Sequence, residues 1–190
     1  MIITIAGPVH SDKTSIICER INDYLCSGHD VKLFYPIFLE KEEKYVIKGN
    51  DYKTKIIPIS DLKDILSHIT NSNKLIIFID EFQFFDIKNS DYILQELSER
   101  DVEVIISGLD INYYGTTFAN MELALSYSDK VIKLKNNCEI CSSTEGRRSI
   151  KYVDGKPQFD GDLISLESDN VSYICACKRC FYEKLNDEQI

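Results

Sequence analysis

Three groups of residues in this chain have the types and spacing that chemistry requires. The first is Gly7-Pro8-Val9-His10-Ser11-Asp12-Lys13-Thr14, which directly follows the apolar run Ile2–Ala6. A glycine, a short loop, lysine and a hydroxyl residue make the Walker A pattern, in which backbone amides wrap phosphates, the lysine reaches them and the hydroxyl binds Mg²⁺. Asp12 stands where that pattern has its second glycine. A helix beginning after the loop would add its N-terminal amides and dipole, so Gly7, Lys13 and Thr14 retain their roles. An ordinary strand-to-helix turn containing Lys-Thr fits the same residues, and the loop alone does not choose between the two readings.

The second group is Asp80-Glu81, at the end of the run Leu75-Ile76-Ile77-Phe78-Ile79. P-loop enzymes deliver a carboxylate to Mg²⁺ from such a position. Two adjacent carboxylates can also divide labour, Asp80 orienting the water shell of the metal and Glu81 taking a proton from an attacking hydroxyl. Strands also end in acidic residues simply because they meet solvent there. Co-occurrence with the loop favours the chemical reading. Phe82, Phe84 and Phe85 surround Gln83; such aromatics are usually core, yet their faces can sandwich a flat base while an amide reads its edge, which makes Gln83 and Phe84 candidates for nucleotide contact.

The third group is the cysteines. Of seven, five lie between residues 138 and 180, and four of these form Cys138-Glu139-Ile140-Cys141 and Cys177-Lys178-Arg179-Cys180. Two Cys-x-x-Cys knuckles match a Cys₄ zinc ribbon. Four thiolates fill a tetrahedron and leave no open position, so the Zn²⁺ would be structural. A redox role needs one such pair, and a reducing cytosol disfavours disulfides. Cys175 is the spare, and Cys18 and Cys26 are assigned no role.

The elements that must position these groups follow from periodicity. Apolar runs Ile2–Ala6, Val31–Tyr35, Leu75–Ile79, Val102–Ile106 and Lys130–Leu134 read as strands. Between them Thr14–Cys26 reads as a helix that stops before Ser27-Gly28, with shorter amphipathic candidates at Asp61–Ile69 and Asp91–Arg100. This alternation predicts an α/β domain with a mostly parallel sheet and helices on both faces over residues 1–135. Lys44–Pro58, with Gly49-Asn50 in its middle, reads as a hairpin insertion. After Leu134 helical periodicity disappears, which puts a boundary near Asn136 and a small zinc-ribbon β domain, built around Asp154-Gly155, over residues 136–190. The polar end Asn186–Gln189 is expected to fray.

With 31 acidic against 22 basic residues and a net charge of −9, the chain repels nucleic-acid backbones and anionic membranes. A local basic patch such as Arg147-Arg148-Lys151 argues otherwise, for a ribbon that binds nucleic acid. MIITIAGP lacks the basic start of a signal peptide, and no run approaches the ~18 apolar residues of a membrane span. A cytoplasmic protein is expected.

In this order and spacing the elements resemble the thymidine kinases of cytosolic, bacterial and poxviral type, over Ile3 to about Tyr182. Besides the loop and the knuckles, Asp80-Glu81-Phe82-Gln83-Phe84-Phe85 is similar to the family's Asp-Glu-x-Gln-Phe-Phe signature, and Gly108-Leu109-Asp110-Ile111-Asn112-Tyr113 with Thr117-Phe118 follows. The resemblance implies ATP-dependent transfer to the 5′-hydroxyl of thymidine or deoxyuridine in nucleotide salvage, with Glu81 as general base, Mg²⁺ and structural Zn²⁺ as cofactors, and a homotetramer. It implies a nucleoside pocket of Phe84, Leu109, Tyr113 and Phe118, and a lasso between the knuckles that closes over the nucleoside. The lasso would be anchored by Asp154-Gly155-Lys156-Pro157 and Tyr173, with Ile164 and Leu166 offering main-chain contacts to the base. Ser149 and Lys151 fall where the family has threonine and arginine if the preceding loop is one residue longer. Val9 and His10 replace a methionine and an aromatic residue, and Ser168-Asp169 stand near the place of paired glycines. With Asp12, these departures leave a catalytically weakened nucleotide-binding paralogue as the alternative.

Overall fold

The computed structural model describes residues 1–39, 45, 47, 55–70, 72, 74–164, 166 and 168–187. They group into two units: Met1–Ala6, Asp12–Gly108 and Ala119–Ile132 in the first, Gly7–Ser11, Leu109–Phe118 and Lys133–Ile190 in the second.

Six strands form the sheet of the first unit: β1 (Ile2–Ala6), β2 (Asp30–Pro36), β3 (Lys55–Ile59), β4 (Leu75–Ile79), β5 (Glu103–Gly108) and β6 (Lys130–Lys133), in the order β3-β2-β4-β5-β1-β6. β2 pairs in parallel with β3 and β4, and β5 with β4 and β1. β1 and β4 are buried along their whole length, which is why β4 reads as an unbroken apolar run and β1 as one interrupted only by Thr4. Ala6 pairs with Gly108 and Ile79 with Ile106, so β1, β5 and β4 end along one edge of the sheet. In open α/β sheets this carboxyl edge is where ligands bind. β5 separates the strand that leads into the loop from the strand that ends in the acidic pair.

Helix α1 (Lys13–Cys26) buries Ile17, Ile21 and Leu25 at every fourth position. It ends as Ser27-Gly28 leads one to expect: Gly28 N donates to Leu25 O and His29 N to Tyr24 O, both at 3.0 Å, the two bonds of a Schellman motif. Helix α2 (Ile87–Ser98) starts four residues before the expected Asp91, because Asp86 accepts from Lys88 N at 3.0 Å and caps it there. Its buried apolar residues Ile93, Leu94 and Leu97 lie in the second half, so periodicity saw only that half. The expected helix at Asp61–Ile69 is a 3₁₀ segment, Leu62–His68. Helix α3 (Ala119–Tyr127) was not expected; its apolar residues lie all round the axis rather than in a stripe. Pro58, placed by sequence in a hairpin, belongs to β3, the sheet's edge strand, where a missing N–H is tolerated. The hairpin around Gly49-Asn50 lies outside the described residues.

In the second unit, β7 (Gly146–Val153), β8 (Lys156–Gln158) and β9 (Val171–Cys177) form an antiparallel sheet in the order β8-β7-β9. Asp154 and Gly155, at φ 50° and 74°, make the two-residue turn between β7 and β8. The expectation that helical structure stops after Leu134 is wrong: α4 (Lys178–Asp187) continues directly from β9. Its buried side chains, Cys180 and Phe181, are a cysteine of the second knuckle and its neighbour, so the inward stripe does not read as apolar. Asn186 and Asp187 belong to α4, and residues 188 and 189 lie outside the described set. Cys138, Ile150, Ala176, Cys177, Cys180 and Phe181 make the core of this unit. Among the described residues no helix is long and apolar enough to cross a membrane.

Candidate functional site

At the carboxyl edge of the first unit, Asp80 is 1 % exposed, and a carboxylate buried that deeply needs donors. Ser107 Oγ, at the end of β5, donates to Asp80 Oδ1, and Tyr45 Oη donates to Asp80 Oδ2 at 2.9 Å. Burial and the charge of Asp80 push the Tyr45 hydroxyl far above its ordinary pKa, which keeps it a donor. Sequence reasoning found neither partner. Ser107 follows the apolar run Val104-Ile105-Ile106 in β5, and its hydroxyl was the available signal.

Glu81 follows at φ 55°, ψ 40°, the left-handed region that a glutamate occupies at a cost of about 1 kcal/mol or more. Strain of this kind directs the side chain away from the path a strand would give it. Gln83 Nε2 donates to Glu81 Oε2 at 2.5 Å, so these two candidates are brought together. Phe82 and Phe85 are buried as ordinary core, whereas Phe84 is half-buried and packs edge-on to Phe38 at 6.1 Å.

Gly108 holds this arrangement open. A Cβ there would meet Gln83 Oε1 and would lie 2.7 Å from Met121 Sδ. Gly108→Ala should therefore displace Gln83, cost about 1–3 kcal/mol of overpacking, and lower the melting temperature by roughly 2–10 °C. Thermal unfolding of the variant, with turnover measured beside it, checks this; unchanged stability and turnover would show that Gln83 moves aside freely.

The loop residues carry two left-handed conformations, His10 at φ 59° and Asp12 at φ 58°. Asp12 caps α1 with its carbonyl, which accepts from Ile16 N at 3.0 Å, and its exposed side chain makes no capping bond. Its φ accounts for glycine in the motif: position 12 needs a conformation that aspartate adopts with strain. Lys13 is buried and Thr14 half-buried at the helix start. Gly7 is required sterically, since a Cβ would lie 2.8 Å from Ser11 Oγ and 2.9 Å from Leu134 Cβ. Ser11 Oγ donates to Pro8 O at 2.8 Å, closing the turn.

Within the second unit the loop is tied to the cysteine-bearing sheet. Val9 N donates to Ser149 Oγ at 3.1 Å, and His10 Nδ1 lies 3.0 Å from Glu139 Oε1. Glu139, inside the first knuckle, also takes Cys175 N at 2.7 Å on the same oxygen and donates its own N–H to Cys175 O at 2.9 Å. Burial works against its charge, but the Cys175 amide and His10 outweigh it and hold the carboxyl below the usual range. Sequence reasoning passed over Glu139 as a spacer between cysteines.

Of the residues expected around a nucleoside, Tyr113 and Phe118 are buried, Leu109 half-buried and Ser149 buried. Tyr113 is the hub. Its hydroxyl donates to Asp162 O at 2.7 Å and lies 3.1 Å from Asp160 O, its ring meets Tyr173 at 6.2 Å, and Lys151 Nζ sits 4.9 Å from its centroid. Burial raises the Tyr113 pKa above its ordinary value, as does the Tyr114 hydroxyl beside it. Asn112 organises the preceding turn: its Oδ1 takes Tyr114 N at 3.0 Å and Thr116 N at 3.1 Å. Ile164 and Leu166 are each 48 % exposed. Lys151 is buried against Tyr113, so the basic patch expected from Arg147-Arg148-Lys151 loses one member.

The Sγ atoms of Cys138, Cys141, Cys177 and Cys180 all lie within 4.8 Å of one another, and Cys175 is not among them. Cys141 and Cys177 are 3.7 Å apart, and a tetrahedron with Zn–S near 2.3 Å has S···S edges of about 3.8 Å. Against burial, the backbone amides of Cys177, Cys141 and Ile140 bring Cys138 down to about 6, while burial and the neighbouring sulfurs push Cys180 up to about 12. Four thiolates so close need a cation to hold them deprotonated together. The donor set fits Zn²⁺.

Two comparisons bear on this geometry. The chain is similar in structure to a solved ATPase domain, with a TM-score of 0.55 and 12 % identity, covering 92 % of this chain and 80 % of that one. At that identity the likeness concerns the fold, a P-loop NTPase-like parallel sheet. The family model for thymidine kinase matches residues 1–181. With that match over nearly its whole length, the chain belongs to the thymidine kinase family of nucleoside kinases.

Proposed function

We propose that the chain transfers the γ-phosphoryl group of ATP to the 5′-hydroxyl of thymidine or deoxyuridine. The observation that carries this reading is the pair at the end of β4, where Asp80 is buried and held by two hydroxyl donors while Glu81 turns out of the strand direction at positive φ. In this reading Glu81 takes the proton of the 5′-hydroxyl, whose oxygen attacks the γ-phosphorus as the bond to ADP breaks. Residues 7–14 hold the phosphates, with Lys13 reaching them. Thr14 would hold Mg²⁺ and Asp80 would orient its water shell; when bound, the ion would neutralise developing charge. Phe84, Leu109, Tyr113 and Phe118 receive the nucleoside, and the segment carrying Ile164 and Leu166 closes over it, backed by Ser149 and Tyr173. Residues 1–135 act as the ATP-binding domain and 136–190 as zinc ribbon and lasso. A cytoplasmic homotetramer, acting on neither polymer nucleic acid nor membranes, belongs to the same proposal. A radiolabelled-ATP assay against the natural nucleosides tests it: labelled thymidine or deoxyuridine monophosphate is the expected product, and transfer to no nucleoside would overturn it.

Asp12 favours a second reading, a catalytically weakened paralogue. A carboxylate about 5 Å from a phosphate charge costs about 3 kcal/mol at an effective dielectric of 20, and Lys13, Mg²⁺ and solvent screen most of that. Its left-handed backbone adds strain that glycine would not have. Both effects have one sign. Asp12→Gly should bind Mg-ATP about five-fold tighter, which is about 1 kcal/mol, and Lys13→Ala should bind more weakly than wild type. Calorimetry reads both; equal affinity of the glycine variant and wild type would mean that Asp12 does not weaken the site.

A further inference from the structure

We infer that Glu139, a residue of the first cysteine knuckle, is a positioning residue for the phosphate loop, so that the ribbon sets nucleotide affinity. The inference rests on the reading of Gly7–Thr14 as the phosphate site. Four observations within the second unit support it. Gly7–Ser11 groups with the ribbon rather than with the parallel sheet. Val9 N is held by Ser149 Oγ of β7. Asn136 Nδ2 donates to the carbonyl of His10. Glu139 Oε1 takes both the Cys175 amide of β9 and His10 Nδ1.

The geometry of Glu139 sets its role. A carboxylate oxygen accepts and does not donate, so the 3.0 Å contact fixes the His10 tautomer with its proton on Nδ1. One oxygen accepts both bonds, so an amide oxygen at the same point offers both donors an acceptor. His10 sits at φ 59°, a conformation that its surroundings help to hold. With Glu139 inside the first cysteine knuckle and bonded twice to Cys175 of β9, the ribbon provides that support. Phosphate binding needs backbone amides fixed in direction, and the bonds from the ribbon add to the loop's own turn, Ser11 Oγ to Pro8 O.

The test uses the full zinc-loaded chain and measures Mg-ATP affinity by calorimetry and zinc content by metal analysis. Glu139→Ala should weaken Mg-ATP binding about five-fold, the scale of one lost hydrogen bond, with zinc retained. Glu139→Gln, which keeps an acceptor oxygen, should restore near wild-type affinity. His10→Asn, which tolerates the left-handed backbone and leaves the ribbon untouched, should weaken binding by a similar factor, and the double variant Glu139→Ala/His10→Asn should be no weaker than either single one. Unchanged affinity in Glu139→Ala, or losses that multiply in the double variant, would overturn the inference. Lys13→Ala separates the two readings. If it loses affinity while Glu139→Ala does not, the coupling fails and the phosphate site stands. If wild type binds no Mg-ATP, both fall.

Discussion

Glu81→Gln should lower the turnover of nucleoside phosphorylation by roughly 10²–10⁴-fold, the usual scale of general-base catalysis, while Mg-ATP binding survives. The two acids at the end of β4 are in different environments. Asp80 is enclosed and its oxygens accept from Ser107 and Tyr45, which suits a carboxylate that orients. Glu81 is half-buried and its Oε2 accepts from Gln83. An amide keeps the shape and can still accept from Gln83, but it cannot take a proton. Steady-state kinetics beside calorimetry separates the two effects. Turnover equal to wild type would move the base elsewhere or leave positioning alone to carry the reaction.

Zinc is expected to copurify at about one ion per chain, and Cys138→Ser/Cys177→Ser should abolish it, because a site with two thiolates no longer compensates the metal. The structural consequence is expected to be large. Structural zinc contributes about 10 kcal/mol or more to folding, and here three of the four ligands, Cys138, Cys177 and Cys180, are also core residues of the second unit. Hydrogen exchange in β7 and β9 should rise in the double variant, while Cys175→Ser keeps its zinc. Unchanged zinc stoichiometry in the double variant would sink the assignment.

What the sequence made legible was local. The runs of β1 and β4, the stop at Ser27-Gly28 and the paired knuckles each signal within a few residues, and each lies where it was read. α3 escaped because a helix with apolar residues all round has no stripe to detect, and α4 because its inward positions are filled by a cysteine beside an aromatic. The contacts that shape the candidate site escaped for another reason. Ser107 and Tyr45 reach Asp80, and Glu139 reaches His10, across sequence separations over which neither spacing nor periodicity carries information. The carboxyl edge itself could be anticipated, since parallel strands that end in a loop and an acidic pair must present both on the same side of the sheet.

The pairing of β1 with β5 has a consequence for synthesis on the ribosome. Ile2–Ala6 has its partner strand roughly 100 residues further along the chain, at Val104–Gly108. At about 5–20 residues per second the apolar segment Ile-Ile-Thr-Ile-Ala waits on the order of 5–20 s before its neighbour emerges. During that interval α1, β2 and β4 have been made, but the hydrogen-bonding edges of β1 and β4 that β5 will join stay unsatisfied. The nascent chain is therefore at its most adhesive just before residue 108 clears the exit tunnel. Slow codons or a stall ahead of β5 should raise aggregation and chaperone capture.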